Sequence, residues 1–72
     1  MTMIEIFKTS ILQQQEAFAV IKTLSDYLPS LKINFDLSDC DKILRVEGQH
    51  FCAQTIIEIL KGQGHYCQVL EG

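Results

Sequence analysis

Two kinds of apolar spacing follow each other along this chain in an order that few folds accommodate. Alternation of apolar and polar residues, which is typical of strands, covers residues 3–8, 31–37, 42–47 and 65–70. Helical spacing fills the stretches after the first and the third of these segments. The polar residues 38–41 form a turn between the two central strands. The predicted order is therefore strand, helix, strand, strand, helix, strand.

Two strand-helix-strand units can bury both helical stripes only if the helices share one face of the sheet. Right-handed crossovers then give a four-stranded antiparallel sheet in the order 4-1-3-2. We predict an α+β sandwich of the ferredoxin-like βαββαβ class. It is one domain over residues 1–72, because a chain of this length buries only about 60% of its unfolded surface. The predicted core side of the sheet is Ile4, Ile6, Ile33, Phe35, Leu44, Val46, Cys67 and Val69.

Capping residues and helix breakers predict where the helices begin and end. Ser10, with Gln13 three residues later, is a capping-box pattern at the start of the first helix. Pro29 ends that helix because it lacks an amide proton and disfavours helical geometry in the residue before it. The second helix is predicted from about Gln49 to the region of Gly64, since glycine accepts the left-handed turn that ends many helices.

Charge and cysteine content exclude several function classes. The net charge is −3 and the six basic residues are scattered, which argues against a nucleic-acid partner. No signal peptide and no apolar run of about 18 residues is present, so we expect no membrane association and a cytoplasmic location. The three cysteines lack paired spacing and are interpreted as reduced thiols. Cys52 and Cys67 fall at predicted core positions, where cysteine acts as a small hydrophobic residue.

Residues 33–48, INFDLSDCDKILRVEG, and residues 55–70, TIIEILKGQGHYCQVL, resemble the second half of heavy-metal-associated domains, the small copper-chaperone-like fold. The resemblance extends over nearly the whole chain in length and element order. In that family a C-x-x-C motif in the loop after the first strand holds the metal, because two thiolates suit Cu(I) or Zn. The corresponding loop here, residues 8–15, reads KTSILQQQ and contains no cysteine, histidine or acid. No metal ligand and no cofactor is therefore carried over.

The predicted positions of the cysteines and histidines bear on two further functions, a relocated metal site and an enzyme. Cys40 and His65 fall at the same end of the predicted sheet, but strand spacing separates them by about 10 Å or more, too far for one Zn ion. Cys67 and His65 lie two residues apart on one strand, about 6.6 Å between Cα atoms, so we predict no catalytic residues and no enzyme. The alternative function is metal binding or metal delivery by Cys40 with Asp39 and Asp41, in one chain or two.

The uncovered face of the predicted sheet carries the candidate site. Antiparallel register predicts a row of Tyr66, Phe7 and Ile43 across this face, with Asp36 at its end. An RNA-binding sheet would need basic residues around these aromatics, and they are absent. The predicted function is a small non-catalytic domain acting in protein interaction or self-association, with a protein partner or a homodimer through this row. The two outer strands are unpaired edges that can extend the sheet in a dimer.

Overall fold

The computed structural model describes residues 2–70 and confirms the predicted α+β class. The strand order is β2-β3-β1-β4, which is the predicted 4-1-3-2 order read from the other edge, and every strand pairing is antiparallel. Among residues 2–70, neither helix combines the length and the apolar character needed to cross a membrane. The elements are β1 (Met3–Thr9), α1 (Gln14–Tyr27), β2 (Lys32–Asp36), β3 (Ile43–Gly48), α2 (Ala53–Gly62) and β4 (Cys67–Val69).

The core lies between one face of the sheet and both helices. Leu44 of β3 pairs with Phe7 of β1 on one side and with Phe35 of β2 on the other. This register brings the buried sheet residues to the same face, where they form one cluster with the buried helix residues. Both helices therefore cover this face, as predicted. The fully buried members of the cluster are Phe7, Ile11, Ala17, Val20, Leu24, Leu44, Val46, Ile56 and Leu60.

Strand β1 is turned over relative to the sequence prediction. Phe7 was predicted on the uncovered face, but it is 0% exposed and lies in the core. Ile4 and Ile6 were predicted in the core, but Ile4 is 50% exposed and Ile6 is only half-buried on the other side of the strand. Both alternating sets of β1 contain apolar residues, so alternation alone could not choose between them. Phe7 pairs with Leu44, a core residue of β3, so this pairing decides which set is buried. It places the aromatic ring of Phe7 beneath the helices.

Helix α1 begins later than the sequence pattern predicts. Its N-cap is Gln13 rather than Ser10, and the Glu16 carboxylate accepts the Gln13 amide at 3.2 Å. The Ser10 hydroxyl instead accepts the Tyr66 amide at 2.9 Å, which ties the end of β1 to the start of β4. Ile11, between the two, is fully buried. Residues 10–12 are not helical, because Ile11 has to reach the core at this point of the chain. The helix therefore starts only after them.

Helix α2 also starts late, and this changes the position of Cys52. The helix begins at Ala53, and Cys52 is its exposed N-cap, so the prediction that Cys52 faces the core is wrong. Phe51 supplies the apolar contact with the core just before the helix. At the other end Gly64 has a φ of 85°, and the His65 amide donates to the Leu60 carbonyl at 3.0 Å. This is the glycine-terminated turn that the sequence predicts.

Candidate functional site

The open face, the side of the sheet away from the helices, has an aliphatic patch at its centre. We define the aliphatic patch as Ile4, Ile6, Ile43 and Leu70. The Leu70 amide donates to the Ile6 carbonyl at 2.8 Å, which places these two residues side by side on β1 and at the end of β4. Ile4 lies two residues along β1, and Ile43 lies diagonally across on β3. None of the four belongs to the core cluster or to the side chains packed against it.

The predicted row of Tyr66, Phe7 and Ile43 does not form. Phe7 is inside the core, so it cannot contact a partner from the open face. Ile43 does lie on the open face, half-buried, opposite Lys8 of β1. Tyr66 is 56% exposed just before β4, and its hydroxyl donates to the Gln68 side chain. An interaction role for Ile43 and Tyr66 stays a prediction, whereas Phe7 is a core residue.

Charged residues of both signs surround the aliphatic patch. An Arg45 guanidinium nitrogen lies 3.1 Å from a Glu47 carboxylate oxygen along β3. The Lys8 ammonium lies 3.9 Å from an Asp41 carboxylate oxygen at the hairpin turn. These pairs are partly solvent-accessible, so each contributes little to stability. Their mixed signs leave the open face without the concentrated positive charge that a nucleic acid requires.

The hairpin turn between β2 and β3 brings three ligand-type side chains together. Each of Asp39, Cys40 and Asp41 contributes one ligand atom, and these three atoms lie within 4.8 Å of one another. Asp39 and Cys40 are exposed, and the Asp39 carboxylate already accepts the Asp41 amide at 2.8 Å. The Asp41 carbonyl also accepts the Thr9 amide at 3.2 Å, which fixes the turn beside the end of β1. His65 is not part of this cluster.

The other two thiols occupy contrasting environments. Cys67 is 6% exposed on the covered side of β4, and this burial raises the pKa of the Cys67 thiol to about 12. The buried position confirms the sequence prediction for this residue. A thiol in this state is protonated near neutral pH and is a poor nucleophile. Cys52 is exposed at the start of α2.

A groove of about 550 Å³ runs between the two helices, a feature that the sequence did not indicate. Its walls include Thr23, Tyr27 and Ile59, and a hydrogen bond from the Gln63 amide to the Thr23 hydroxyl connects the helices. Glu58 is the charged residue in its lining, which holds neither histidine nor cysteine. Its position depends on how the helices are spaced on the sheet, and no local sequence pattern reports this distance.

Comparisons with known proteins add no assignment. No protein-family model matches the chain, and no curated protein matches it. The functional interpretation therefore depends on the open face, the hairpin turn and the strand edges of this molecule.

Proposed function

We propose that this chain is a small non-catalytic protein-interaction domain that binds a partner protein through the aliphatic patch. It resembles heavy-metal-associated domains in fold, with a first loop that lacks their metal ligands. The observation that carries the proposal is the clustering of Ile4, Ile6, Ile43 and Leu70 at the centre of a face that neither helix covers. Aliphatic side chains gathered on one uncovered face favour burial against another protein.

The arrangement of the open face has the anatomy of a protein interface. Such interfaces place apolar residues at the centre and polar residues at the rim. Here the aliphatic patch is bordered by Lys8, Arg45 and Glu47, with Tyr66 exposed at one end. The four strands give the face a width of about 19 Å at about 4.8 Å per strand. This size suits a modest interface with a flat apolar surface of the partner rather than a deep small-molecule site.

The chemistry of the chain supports a binding role over a catalytic one. The buried thiol of Cys67 is held protonated, and the groove between the helices carries neither a histidine nor a cysteine. A nucleophile needs a neighbouring base within hydrogen-bond reach or a depressed pKa. Neither condition is met at Cys67.

The proposal is tested with matched substitutions on opposite sides of the molecule. Ile6→Glu introduces a charge at the centre of the aliphatic patch, whereas Tyr27→Glu makes a similar change on α1, where Tyr27 is 70% exposed. Both variants should remain folded by circular dichroism. A partner is identified as a protein retained by wild-type chain and Tyr27→Glu but lost with Ile6→Glu. Calorimetry with the purified partner should then show at least about a tenfold weaker complex for Ile6→Glu.

A partner whose affinity is unchanged by Ile6→Glu contradicts the assignment to the open face. The same titration with Tyr66→Glu and Ile43→Glu tests the two residues that the sequence placed at the site. Phe7→Glu has no place in this series, because a charge at a fully buried position disrupts the fold itself.

A second candidate function is metal binding at the hairpin turn. The observation that favours it is the approach of Asp39, Cys40 and Asp41 ligand atoms to within 4.8 Å. One thiolate with two carboxylates suits Zn better than Cu(I), which prefers sulfur ligands. Titration of the fully reduced protein with Zn and with Cu(I), followed by native mass spectrometry, tests it. Stoichiometric binding that is lost in Cys40→Ser but kept in Cys52→Ser supports this candidate, and equal weak binding by all three proteins rejects it.

A further inference from the structure

Strand β2 forms an open edge of the sheet. It pairs with β3 on one side, and no strand within residues 2–70 lies on the other. The opposite edge is formed by β4, which has three residues, whereas β2 has five. An open edge presents unpaired backbone amide and carbonyl groups that can extend the sheet with another strand. The longer edge at β2 is therefore the better template for such pairing.

The sequence of β2 is complementary to itself when two copies run antiparallel and pair about Asn34. In this register Lys32 of each copy lies opposite Asp36 of the other, and Ile33 lies opposite Phe35. Two opposite-charge pairs and two apolar pairs result. Displacing the pairing by two residues leaves both charged residues without a complementary neighbour. The charge pattern thus favours pairing with a second copy of this chain in this register.

The turn that follows β2 favours the ionised form of Asp36, the negative member of each charge pair. The Ser38 hydroxyl donates to the Asp36 carboxylate at 2.6 Å, and the Ser38 amide donates to the same oxygen at 3.2 Å. These bonds hold the pKa of Asp36 below its ordinary value. Lys32 and Asp36 both project on the open face, so they would meet on the same side of the joined sheet.

Helix α1 carries exposed apolar side chains above this edge. Its Thr23 and Tyr27 line the groove against α2, so that flank points toward the β4 side of the molecule. Phe18 lies nine residues before Tyr27, which places it roughly 180° around the helix at about 100° per residue. Phe18 therefore points away from α2, toward the β2 side, and it is 61% exposed. Ile21, on the same flank, is half-buried and does not pack against the core cluster.

The covered side of β2 is also incompletely buried. Ile33 and Phe35 face the helices and touch the core cluster, yet both remain partly exposed at the edge of the sheet. A second copy joined at β2 would cover these two side chains with its own Phe35 and Ile33. It would also bring a second α1 beside the first, with the flank of each helix that carries Phe18 and Ile21 turned toward the other helix.

We infer that this chain forms a homodimer in which two β2 strands pair antiparallel about Asn34 and give one eight-stranded sheet. The two-fold axis runs perpendicular to the sheet and keeps all four helices on one side. The two aliphatic patches remain uncovered on the other side. The dimer therefore adds an interface that the proposed partner binding does not use, and either can fail without the other.

Charge reversal tests the inferred register. Wild-type protein is studied by sedimentation equilibrium from about 10 µM to about 1 mM and should show a monomer–dimer equilibrium. Lys32→Asp places two acidic residues opposite each other, and Asp36→Lys places two basic residues opposite each other. Each variant should raise the dimer dissociation constant by at least about tenfold. Ile6→Glu, on the open face, should leave the constant unchanged.

Mixing the two reversal variants gives the decisive result. A chain with acids at both positions is complementary to a chain with lysines at both positions, so an equimolar mixture of Lys32→Asp and Asp36→Lys should form a heterodimer. The double variant Lys32→Asp/Asp36→Lys should again form a homodimer. Circular dichroism of each variant confirms that the fold is kept. The mixture controls for local damage, because each chain retains its own substitution in the mixture.

Helix α1 supplies an independent measurement that does not alter the strand. Phe18→Asp should weaken the dimer, whereas Tyr27→Asp, on the opposite flank of the same helix, should not. Wild-type protein that sediments as a monomer at about 1 mM overturns the inference. So does a dimer that withstands all of the reversals and Phe18→Asp, or a mixture of folded reversal variants that stays monomeric.

Discussion

The two faces of β1 differ in what covers them, although both carry apolar residues. On the covered face Phe7 is fully buried and Thr9 is 6% exposed, while on the open face Ile4 is 50% exposed. The strand lies between β3 and β4, so its backbone hydrogen bonds lie within the sheet and do not distinguish the two faces. The difference arises from the helices alone. It teaches that apolar residues of one central strand are buried in the core on one face, whereas on the other they stay open to the partner binding that we propose.

Removing the aromatic ring from the covered face should have the largest effect. Phe7→Ala leaves a cavity beneath both helices and should lower the free energy of unfolding by about 3–5 kcal/mol. Urea denaturation followed by circular dichroism measures the loss. Ile4→Ala on the open face is the matched control and should cost less than about 1 kcal/mol. Equal losses for the two variants would contradict the difference between the faces.

The polar residue on the covered face should have the next largest effect. The Thr9 hydroxyl donates to the Lys42 carbonyl at 2.7 Å and accepts the Ile11 amide at 3.2 Å. Thr9→Val keeps the shape but leaves both groups without this partner, at a cost of about 1–3 kcal/mol. Thr55→Val at an exposed position of α2 should stay within about 0.5 kcal/mol. An unchanged free energy of unfolding for Thr9→Val in the same assay would show that water satisfies the Lys42 carbonyl and the Ile11 amide in place of the hydroxyl.

A pH-dependent loss of stability should report burial on the covered side of β4. Burial raises the pKa of Cys67 from 9.0 to about 12, so the folded state holds the thiol proton more tightly than the unfolded state. This contribution is complete below pH 9 and is lost as the pH rises toward 12. Urea denaturation at pH 8 and at about pH 10.5 measures it. In Cys67→Ala the decline between these pH values should be smaller, and an identical decline would contradict burial of this thiol.

The smallest effect is expected for a polar change on the open face. Ile4→Thr keeps a β-branched side chain, which suits a strand. It replaces the ethyl branch of isoleucine by a hydroxyl in contact with water. The melting temperature should correspond to a change within about 0.5 kcal/mol. A loss as large as that of Thr9→Val would mean that Ile4 is covered in the free protein.

The accuracy of the sequence prediction differs from one element to the next. Alternation in β2 and β3 correctly placed Ile33, Phe35, Leu44 and Val46 on the covered face, because the other set of each strand is mostly polar or charged. Strand β1 has two such sets, and the prediction chose the wrong one. The starts of both helices were predicted too early, because Ile11 and Phe51 first had to reach the core. The hairpin cluster around Cys40 was visible as three neighbouring residues, but the approach of their ligand atoms depends on the turn geometry.

The sequence by itself determined the order of the elements and, through it, the topology of the sheet. Apolar spacing and glycine or proline positions act locally, and short connections leave few ways to bury two helical stripes. Only the tertiary structure decided which face of β1 is buried and at which residue each helix begins. The physical reason is that register and packing volume depend on contacts between segments distant in sequence, such as Phe7 with Leu44, which no local pattern encodes.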